Sequence, residues 1–198
     1  MTDALELTPD LLLSAYCQAM FPMAHDDGIY WYDPDPRAIL PLDDFHVSRS
    51  LKRVLGKRPF QIKINQEFTA VMRACAKPAL GREETWISDQ VIAAYTQLHQ
   101  LGFAHSVEAW QDGKLVGGLY GVAIGGLFAG ESMFSYVTDS SKVALVHLVQ
   151  ILKRQNFILL DIQFMTPHLR RFGAIEVSSA AYKRQLAEAL TVPAQFIT

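Results

Sequence analysis

The sequence predicts an α+β fold with a largely antiparallel sheet, and three observations lead to that prediction. Alternating apolar segments and amphipathic segments follow one another without the strict alternation that a parallel sheet requires. Asp112-Gly113 separates two apolar runs and is typical of a two-residue hairpin turn. Gly125-Gly126 marks a second turn soon afterwards. Neighbouring strands joined by turns this short are antiparallel.

The first 45 residues are predicted to form a small N-terminal domain, and residues 46–198 the main domain. A helix is expected to begin at Pro9, because Thr8 can cap its N-terminus and proline is favoured at the first helical position. The stretch 21–37 is rich in proline and is expected to be irregular. A segment of 45 residues buries too little apolar surface to fold alone.

Hydrophobic periodicity, capping residues and turns predict the remaining elements. Ser88 is placed to cap one helix, and Ser140 or Ser141 to open another. The predicted order is helix 48–55, strand 60–64, helix 66–76, helix 89–100, strands 104–110, 114–122 and 127–134, helix 140–154, strand 157–163, helix 167–172, strand 174–177 and a last helix from about 179.

Composition excludes several classes of protein. Half of the 198 residues are hydrophobic and the net charge is −2, which is typical of a globular protein and argues against one that coats nucleic acid. Cys17 and Cys75 lie far apart and the six histidines lack metal-binding spacing, so neither disulfides nor a metal site are expected. The chain begins without a basic signal-peptide segment, and no apolar run approaches the roughly 18 residues of a membrane span. We therefore expect a cytoplasmic protein with no membrane association.

Basic residues are concentrated in one segment. Six of the 18 lysines and arginines lie between Phe45 and Gln66, where there is no acidic residue. Arg49, Lys52 and Arg53 are spaced to share one face of the predicted helix, and Lys57 follows one turn later. Two interpretations stay open: a solvated helix face, or a patch that contacts nucleic-acid phosphates and displaces their counterions.

Three polar residues interrupt apolar segments. Asp161 and Gln163 share one face of the predicted strand 157–163, because side chains alternate along a strand. Glu131 lies among small and aromatic residues. Burial of such groups is unfavourable unless they belong to a hydrogen-bonded network. They are therefore either solvent-facing positions at strand ends and turns, or members of a functional site.

These residues belong to a series of motifs that together resemble one family. In chain order the motifs are Phe21-Pro22, Trp31 with Pro34-Asp35-Pro36-Arg37, Ser48-Arg49-Ser50, Thr85-Trp86-Ile87, His105-Ser106-Val107-Glu108, Gly117-Gly118-Leu119-Tyr120-Gly121, Gly130-Glu131-Ser132-Met133-Phe134-Ser135 and Asp161-x-Gln163. Their order and spacing resemble those of bacterial leucyl/phenylalanyl-tRNA–protein transferases. The resemblance runs from about Tyr16 to Ala174, some four fifths of the chain.

The resemblance implies a main domain of the acetyltransferase (GNAT) type, with the small N-terminal domain packed against it. It implies transfer of Leu or Phe, and less well Met, from aminoacyl-tRNA to acceptor proteins that begin with Arg or Lys. The product would be marked for degradation through its new N-terminal residue, and no cofactor is implied. By the same resemblance, Asp161 and Gln163 hold the attacking amine and Glu131 pairs with the cationic group of the acceptor.

The resemblance also implies which residues contact the donor. Its apolar pocket corresponds to Leu119, Phe128, Met133, Leu145, Val149 and Leu160. Trp86, Tyr95 and Met23 correspond to contacts with the terminal adenosine or the donor. The clustering and spacing of Arg49, Lys52, Arg53 and Lys57 predict that these basic residues contact the tRNA. We expect two of the six pocket residues to be ordinary core residues.

Two alternative functions fit parts of the sequence. A coenzyme-A acetyltransferase would share the fold, but the segment Val137–Ser141 before the predicted helix lacks the glycines of a pyrophosphate loop. A non-catalytic RNA-binding module would need the basic segment but not Asp161, Gln163 or Glu131.

Overall fold

The computed structural model describes residues 7–78 and 85–196, and these residues form two sheets and the helices that cover them. The helices are α1 Pro9–Cys17, α2 Arg49–Lys57, α3 Phe68–Ala76, α4 Asp89–Gln100, α5 Ser140–Arg154, α6 Pro167–Arg170 and α7 Ser179–Thr191. The strands are β1 Phe21–His25, β2 Gly28–Tyr32, β3 Arg37–Ile39, β4 Gln61–Ile64, β5 Ala104–Gln111, β6 Lys114–Ile124, β7 Leu127–Ser135, β8 Leu159–Gln163 and β9 Ile175–Val177.

The main sheet has the strand order β4-β5-β6-β7-β8-β3-β9. All of its neighbouring pairs are antiparallel except β7 and β8, which run parallel. The prediction of an α+β fold with a largely antiparallel sheet is therefore confirmed. A single parallel pair between β7 and β8 follows from the long crossover through α5, which returns the chain to the same edge.

Several predicted helix and strand ends agree with the structure. The Thr8 hydroxyl accepts a hydrogen bond from the Leu11 amide at the start of α1, and the Ser88 hydroxyl accepts one from Val91 at the start of α4. Asp112 and Gly113 both have positive φ angles and join β5 to β6 as a two-residue hairpin. These ends depend on local chemistry, which is why sequence reasoning locates them.

The prediction that 21–37 is irregular is wrong for 21–32 and correct for 33–36, which join β2 to β3. Strands β1 and β2 form a hairpin over 21–32, with Phe21 opposite Tyr32 and Pro22 opposite Trp31. A two-stranded sheet consists of edge strands, which tolerate a proline because one side of each strand needs no backbone donor. The chain then continues into β3, which lies between β8 and β9 in the main sheet. The first 45 residues thus supply one strand to the larger sheet.

Apolar clusters cover both faces of the main sheet. Residues of α1, α3 and α4 pack with Tyr120 and Val122 on one face, and residues of α2 and α5 pack with Leu119 and Phe128 on the other. Helix α5 approaches the sheet closely at Gly117, where a Cβ would overlap the Ser140 hydroxyl. This close contact sets the position of α5 relative to β6. Among the described residues, no helix is long and apolar enough to cross a membrane.

Candidate active site

A cleft opens where β7 and β8 separate. Their parallel pairing ends at Ala129 and Asp161, so Glu131 and Gln163 lie two residues beyond the last pair. The cavity has a volume of about 280 Å³ and combines an apolar end with a few polar groups. Concave sites of this kind commonly bind small ligands or reacting groups.

Glu131 reaches the cleft from a β-bulge in β7. Gly130 pairs with Gly121 and Ser132 with Tyr120, which leaves Glu131 as the extra residue. Its Oε1 accepts hydrogen bonds from the Tyr16 hydroxyl at 2.7 Å and from the Gln163 Nε2 at 3.0 Å. Its Oε2 is buried and has no hydrogen-bond partner among the described residues.

Burial determines the protonation state of Glu131. Burial raises the pKa of the carboxyl group to about 8, although the hydrogen bond from Tyr16 lowers it. The nearby Asp161 also raises the pKa, and Arg37 lowers it. Without a substrate, the Glu131 side chain is therefore mostly a neutral carboxylic acid at pH 7.

Asp161 lies behind the cleft and does not form part of its wall. Arg37 donates from Nε to Oδ1 at 2.9 Å and from Nη2 to Oδ2 at 2.6 Å, so the two side chains form a bidentate ion pair. The Tyr182 hydroxyl also donates to Oδ2, and the Gln163 backbone N–H to Oδ1. With four donors already bound, Asp161 has no free acceptor site for a substrate amine. The structure therefore does not place Asp161 for the direct contact with the amine that the sequence predicts.

Gln163 is the polar residue of β8 that faces the cleft. Because its Nε2 donates to Glu131, its side-chain carbonyl oxygen is the group left to accept a hydrogen bond from a ligand. The buried pair of Gln163 and Glu131 therefore places two polar groups side by side: the Gln163 carbonyl oxygen, which accepts, and the Glu131 Oε2, which donates while the carboxyl group is protonated and accepts once it is ionised.

Four of the six residues predicted for the donor pocket line this cleft: Leu119, Met133, Leu145 and Leu160. Phe128 does not, because its ring packs against Phe196 with centroids 5.4 Å apart in the core. Val149 is buried in the core on α5, and Leu148 lines the cleft in its place. The prediction is corrected for these two residues: on α5 the cleft-facing pair is spaced i, i+3 and not i, i+4.

The three residues predicted to contact adenosine or the donor do not lie together. Met23 and Trp86 line the cleft. Tyr95 is fully buried, and its hydroxyl is hydrogen-bonded to that of Tyr16. Since the Tyr16 hydroxyl donates to Glu131, Tyr95 supports the carboxyl group from behind and is corrected from a contact residue to a supporting one.

The basic cluster lies on α2, away from the cleft wall. Arg49, Lys52, Arg53 and Lys57 are all exposed, and within the described ranges none forms an ion pair with an acidic side chain. The Ser48 hydroxyl caps the helix by accepting from Leu51. The helix thus carries unneutralised positive charge at the surface. Elsewhere, no group of three potential metal-ligating residues comes together in 7–78 or 85–196.

Family comparisons agree with the motifs around this cleft. The model of the leucyl/phenylalanyl-tRNA protein transferase family matches residues 39–187, and the model of that family's N-terminal domain matches residues 6–35. The chain belongs to this family.

Curated members of the family are similar over nearly the whole chain. Leucyl/phenylalanyl-tRNA–protein transferase from Herpetosiphon aurantiacus is 56% identical over 96% of this chain and 98% of its own length. The enzyme of the same name from Paramagnetospirillum magneticum is 55% identical over 96% of this chain and 92% of its own. Among solved structures, that of L-PGS from Bacillus licheniformis matches with a TM-score of 0.45 and 15% identity, over 76% of this chain and 51% of the other.

Several residues in and around the cleft are not predicted from the sequence. They are Tyr16 and Arg37, which bind the two carboxyl groups, Tyr182, and the cleft-lining residues Leu148, Ile162, Phe164, His168 and Leu169. Arg37 stands in one of the motifs, but its partner Asp161 is 124 positions away. Most of these residues lie on helices or strands, and the tertiary fold brings them together.

Proposed function

We propose that the cleft beside Glu131 and Gln163 is the site where the aminoacyl group passes from tRNA to the acceptor. As a family member, the chain is an aminoacyltransferase that moves Leu or Phe from tRNA to protein N-termini. One observation carries the assignment of the site: a cavity whose wall includes Leu145, Leu148 and Leu160 also contains the Gln163–Glu131 pair. An apolar donor side chain and a reacting amine can therefore lie next to each other.

The reaction needs little chemical activation by the protein. The donor ester is already activated, and an α-amino group with a pKa of about 7.7–8.0 is partly neutral near pH 7. The neutral nitrogen attacks the ester carbonyl, the bond from the carbonyl carbon to the tRNA oxygen breaks, and the proton lost by the amine ends on that oxygen, which leaves as a hydroxyl group of the tRNA. Alignment and charge placement can supply much of the rate. Gln163 is suited to orient the amine through its side-chain oxygen, because an amide is too weak a base to take the proton.

Glu131 is the residue that we propose pairs with an N-terminal Arg or Lys of the acceptor. Its Oε2 is buried without a partner among the described residues, and Glu131 is one of the residues that line the cleft. A cation beside Oε2 would favour the ionised carboxylate and would lower the raised pKa of Glu131. Acceptor binding would therefore release a proton. A buried carboxylate with one free oxygen can then form a charge-assisted hydrogen bond.

The remaining features are proposed from the resemblance. Met is a weaker donor, the product is marked for N-end-rule degradation, and the enzyme acts in the cytoplasm without a cofactor or metal. The main domain, 46–198, would be of the GNAT type, and the mixed sheet that it forms together with β3 from the first 45 residues has helices on both faces, which is compatible with that. The first 45 residues would form the small domain that contributes Met23 to the cleft. Family membership decides against the acetyltransferase and the non-catalytic RNA-binding module.

A transfer assay tests the assignment of the site. The protein is incubated with labelled Leu-tRNA and a peptide that begins with Arg, and Gln163→Ala is expected to lower kcat at least about tenfold through lost alignment. Ser106→Ala is the matched control, since it also removes a buried hydrogen bond but lies off the cleft wall. Near-wild-type transfer by Gln163→Ala would remove Gln163 from the mechanism.

A second prediction concerns the apolar end of the cleft. Leu148→Phe should lower transfer of Phe more than transfer of Leu, because the larger donor side chain reaches further into the filled space. A methylene in such a pocket is worth about 1–3 kcal/mol, so we expect the ratio of the two rates to change roughly tenfold. Val149→Phe, the adjacent core position, should lower the melting temperature and affect both donors alike. Equal losses for both donors with Leu148→Phe would contradict the pocket.

A third prediction concerns α2. Replacing Arg49, Lys52 and Arg53 with Gln together should raise the KM for Leu-tRNA and leave kcat unchanged, because these residues are proposed to contact phosphates and not the reacting atoms. The slope of log KM against log salt should become less steep by about two to three. Lys114→Gln with Arg154→Gln and Arg184→Gln removes the same three charges from other exposed positions and controls for the change in net charge. An unchanged KM and slope would mean that the basic cluster is only a solvated face.

A further inference from the structure

The backbone at Gln163 adopts an unusual conformation. Its φ angle is +59°, in the left-handed region that residues other than glycine rarely occupy. The Phe164 N–H donates to the Ile162 carbonyl at 2.7 Å, which closes a tight three-residue turn around Gln163 at the end of β8. Such a conformation costs about 1–3 kcal/mol and persists only where the surroundings fix it.

Asp161 is the group that fixes this turn. Its Oδ1 accepts a hydrogen bond from the Gln163 backbone N–H at 2.9 Å. The carboxylate is held in turn by the bidentate pair with Arg37 and by the Tyr182 hydroxyl at 2.8 Å. All the acceptor positions of Asp161 are therefore used, and its orientation is set from two sides.

Arg37 is itself immobilised. Its Nη1 donates to the Ala19 carbonyl at 2.9 Å, and its guanidinium carbon lies 4.7 Å from the centre of the Phe21 ring and 4.5 Å from that of Tyr182. The side chain is 1% exposed, and neither Arg37 nor Tyr182 lines the cleft. Arg37 also packs against Phe21, which lines the cleft. Tyr182 instead contacts Asp161 and Arg37, so Tyr182 is the residue that tests the route through Asp161.

We propose that Arg37 and Tyr182 are positioning residues for aminoacyl transfer, which hold Asp161 so that Gln163 keeps the left-handed backbone that directs its side-chain amide to Glu131. This proposal rests on the proposed role of Gln163. Hydrogen bonds link Arg37 and Tyr182 to Asp161, and Asp161 to the Gln163 backbone. A further hydrogen bond links the Gln163 side-chain amide to the Glu131 carboxyl group.

Stability alone does not account for this arrangement. A buried ion pair contributes little net stability compared with apolar residues of similar volume, because both charges must leave water. Here the pair is instead coupled to a strained backbone position, and that position carries the side chain proposed to orient the amine. A role in positioning explains both features together.

A double-mutant cycle separates positioning from simple stabilisation. Tyr182→Phe removes one hydroxyl from Asp161 and should lower kcat at least about fivefold, with the KM for Leu-tRNA unchanged, because misalignment affects the chemical step. In a Gln163→Ala background the same substitution should have no further effect, since the residue through which it acts is gone. Steady-state rates at varied concentrations of labelled Leu-tRNA, with an Arg-starting peptide as acceptor, give kcat and KM. Single-turnover rates with excess enzyme keep slow variants measurable.

Two further variants complete the test. Ser106→Ala, which also deletes one buried hydroxyl, should lower the melting temperature and leave kcat unchanged. Arg37→Lys keeps the charge but not the bidentate geometry and should act in the same direction as Tyr182→Phe. If Arg37→Lys does not fold, Tyr182→Phe carries the test.

The proposal is overturned if Tyr182→Phe has the kcat of the wild type, or if it lowers kcat by the same factor in both backgrounds. Unchanged transfer by Gln163→Ala would have a different meaning. It would remove Gln163 from the proposed function itself, and the positioning role would fall with it.

Discussion

Asp161→Asn is expected to lower the free energy of unfolding by about 3–5 kcal/mol, because it leaves the buried Arg37 guanidinium without a counter-charge. The four groups around Asp161 all act as donors in the structure. An asparagine amide nitrogen would face donors and find no acceptor. Transfer should fall at least about tenfold as well, since the Gln163 backbone loses its charged acceptor. Urea unfolding and the transfer assay measure the two effects.

Glu108→Gln is the matched control for this substitution. Glu108 is also a fully buried carboxylate, and it accepts hydrogen bonds from the neutral donors Glu67 N–H, Ser106 and Trp110 away from the cleft wall. It should cost less stability than Asp161→Asn, because no bidentate pair with a buried arginine is broken, and it should leave kcat unchanged. Wild-type stability and transfer for Asp161→Asn would contradict the assigned role of the pair.

This expectation differs from what the sequence alone suggests. Because asparagine has nearly the shape of aspartate, sequence reasoning predicts that Asp161→Asn folds normally. The partner that changes this conclusion, Arg37, lies on β3, a three-residue strand that periodicity cannot detect. An arginine in a motif of prolines gives no local indication that it is buried.

For the rest of the site, the sequence predicts a residue's role well when that role depends on neighbouring residues, and poorly when it depends on tertiary packing. Asp161 and Gln163 were recognised as polar residues on an apolar strand, and Glu131 as a carboxylate among small and aromatic residues. The β-bulge that leaves Glu131 unpaired depends on the register of β6 with β7, which no single segment encodes. In the same way, Leu148 and not Val149 lines the cleft because the rotation of α5 is set by its packing on β6.

The protonation of Glu131 should make stability depend on pH. In the folded protein its pKa is raised from 4.5 to about 8, so the folded state keeps a proton that the unfolded chain releases. The stabilisation from this proton is fully present below pH 4.5 and is lost as the pH rises to about 8. A difference of one unit between folded and unfolded pKa corresponds to about 1.4 kcal/mol, so the total change amounts to several kcal/mol.

The groups around Glu131 determine whether this effect can be isolated. Those that act on its pKa are Tyr16, Asp161, Arg37 and Gln163. Burial raises the pKa of Tyr16 well above its ordinary value, so this phenol stays protonated throughout the range. Burial lowers the pKa of His105 to about 4 and shifts His147 and His168 in the same direction, which gives stability an opposite dependence on pH. A variant at Glu131 keeps these histidines, so their contribution cancels when its free energy of unfolding is subtracted from that of the wild type.

Glu131→Gln provides that difference. Glutamine keeps the shape and an oxygen for Tyr16 and Gln163 but cannot ionise, so the free energy of unfolding of the variant should not show the fall that Glu131 causes between pH 5 and 8. At pH 5 the two proteins should be similar, since Glu131 is then neutral, and at pH 8.5 the variant should be the more stable by several kcal/mol. Urea unfolding at half-unit intervals of pH measures both curves. Parallel curves would mean that Glu131 is ionised in the folded protein at neutral pH, and the proposed proton release on acceptor binding would then have no source.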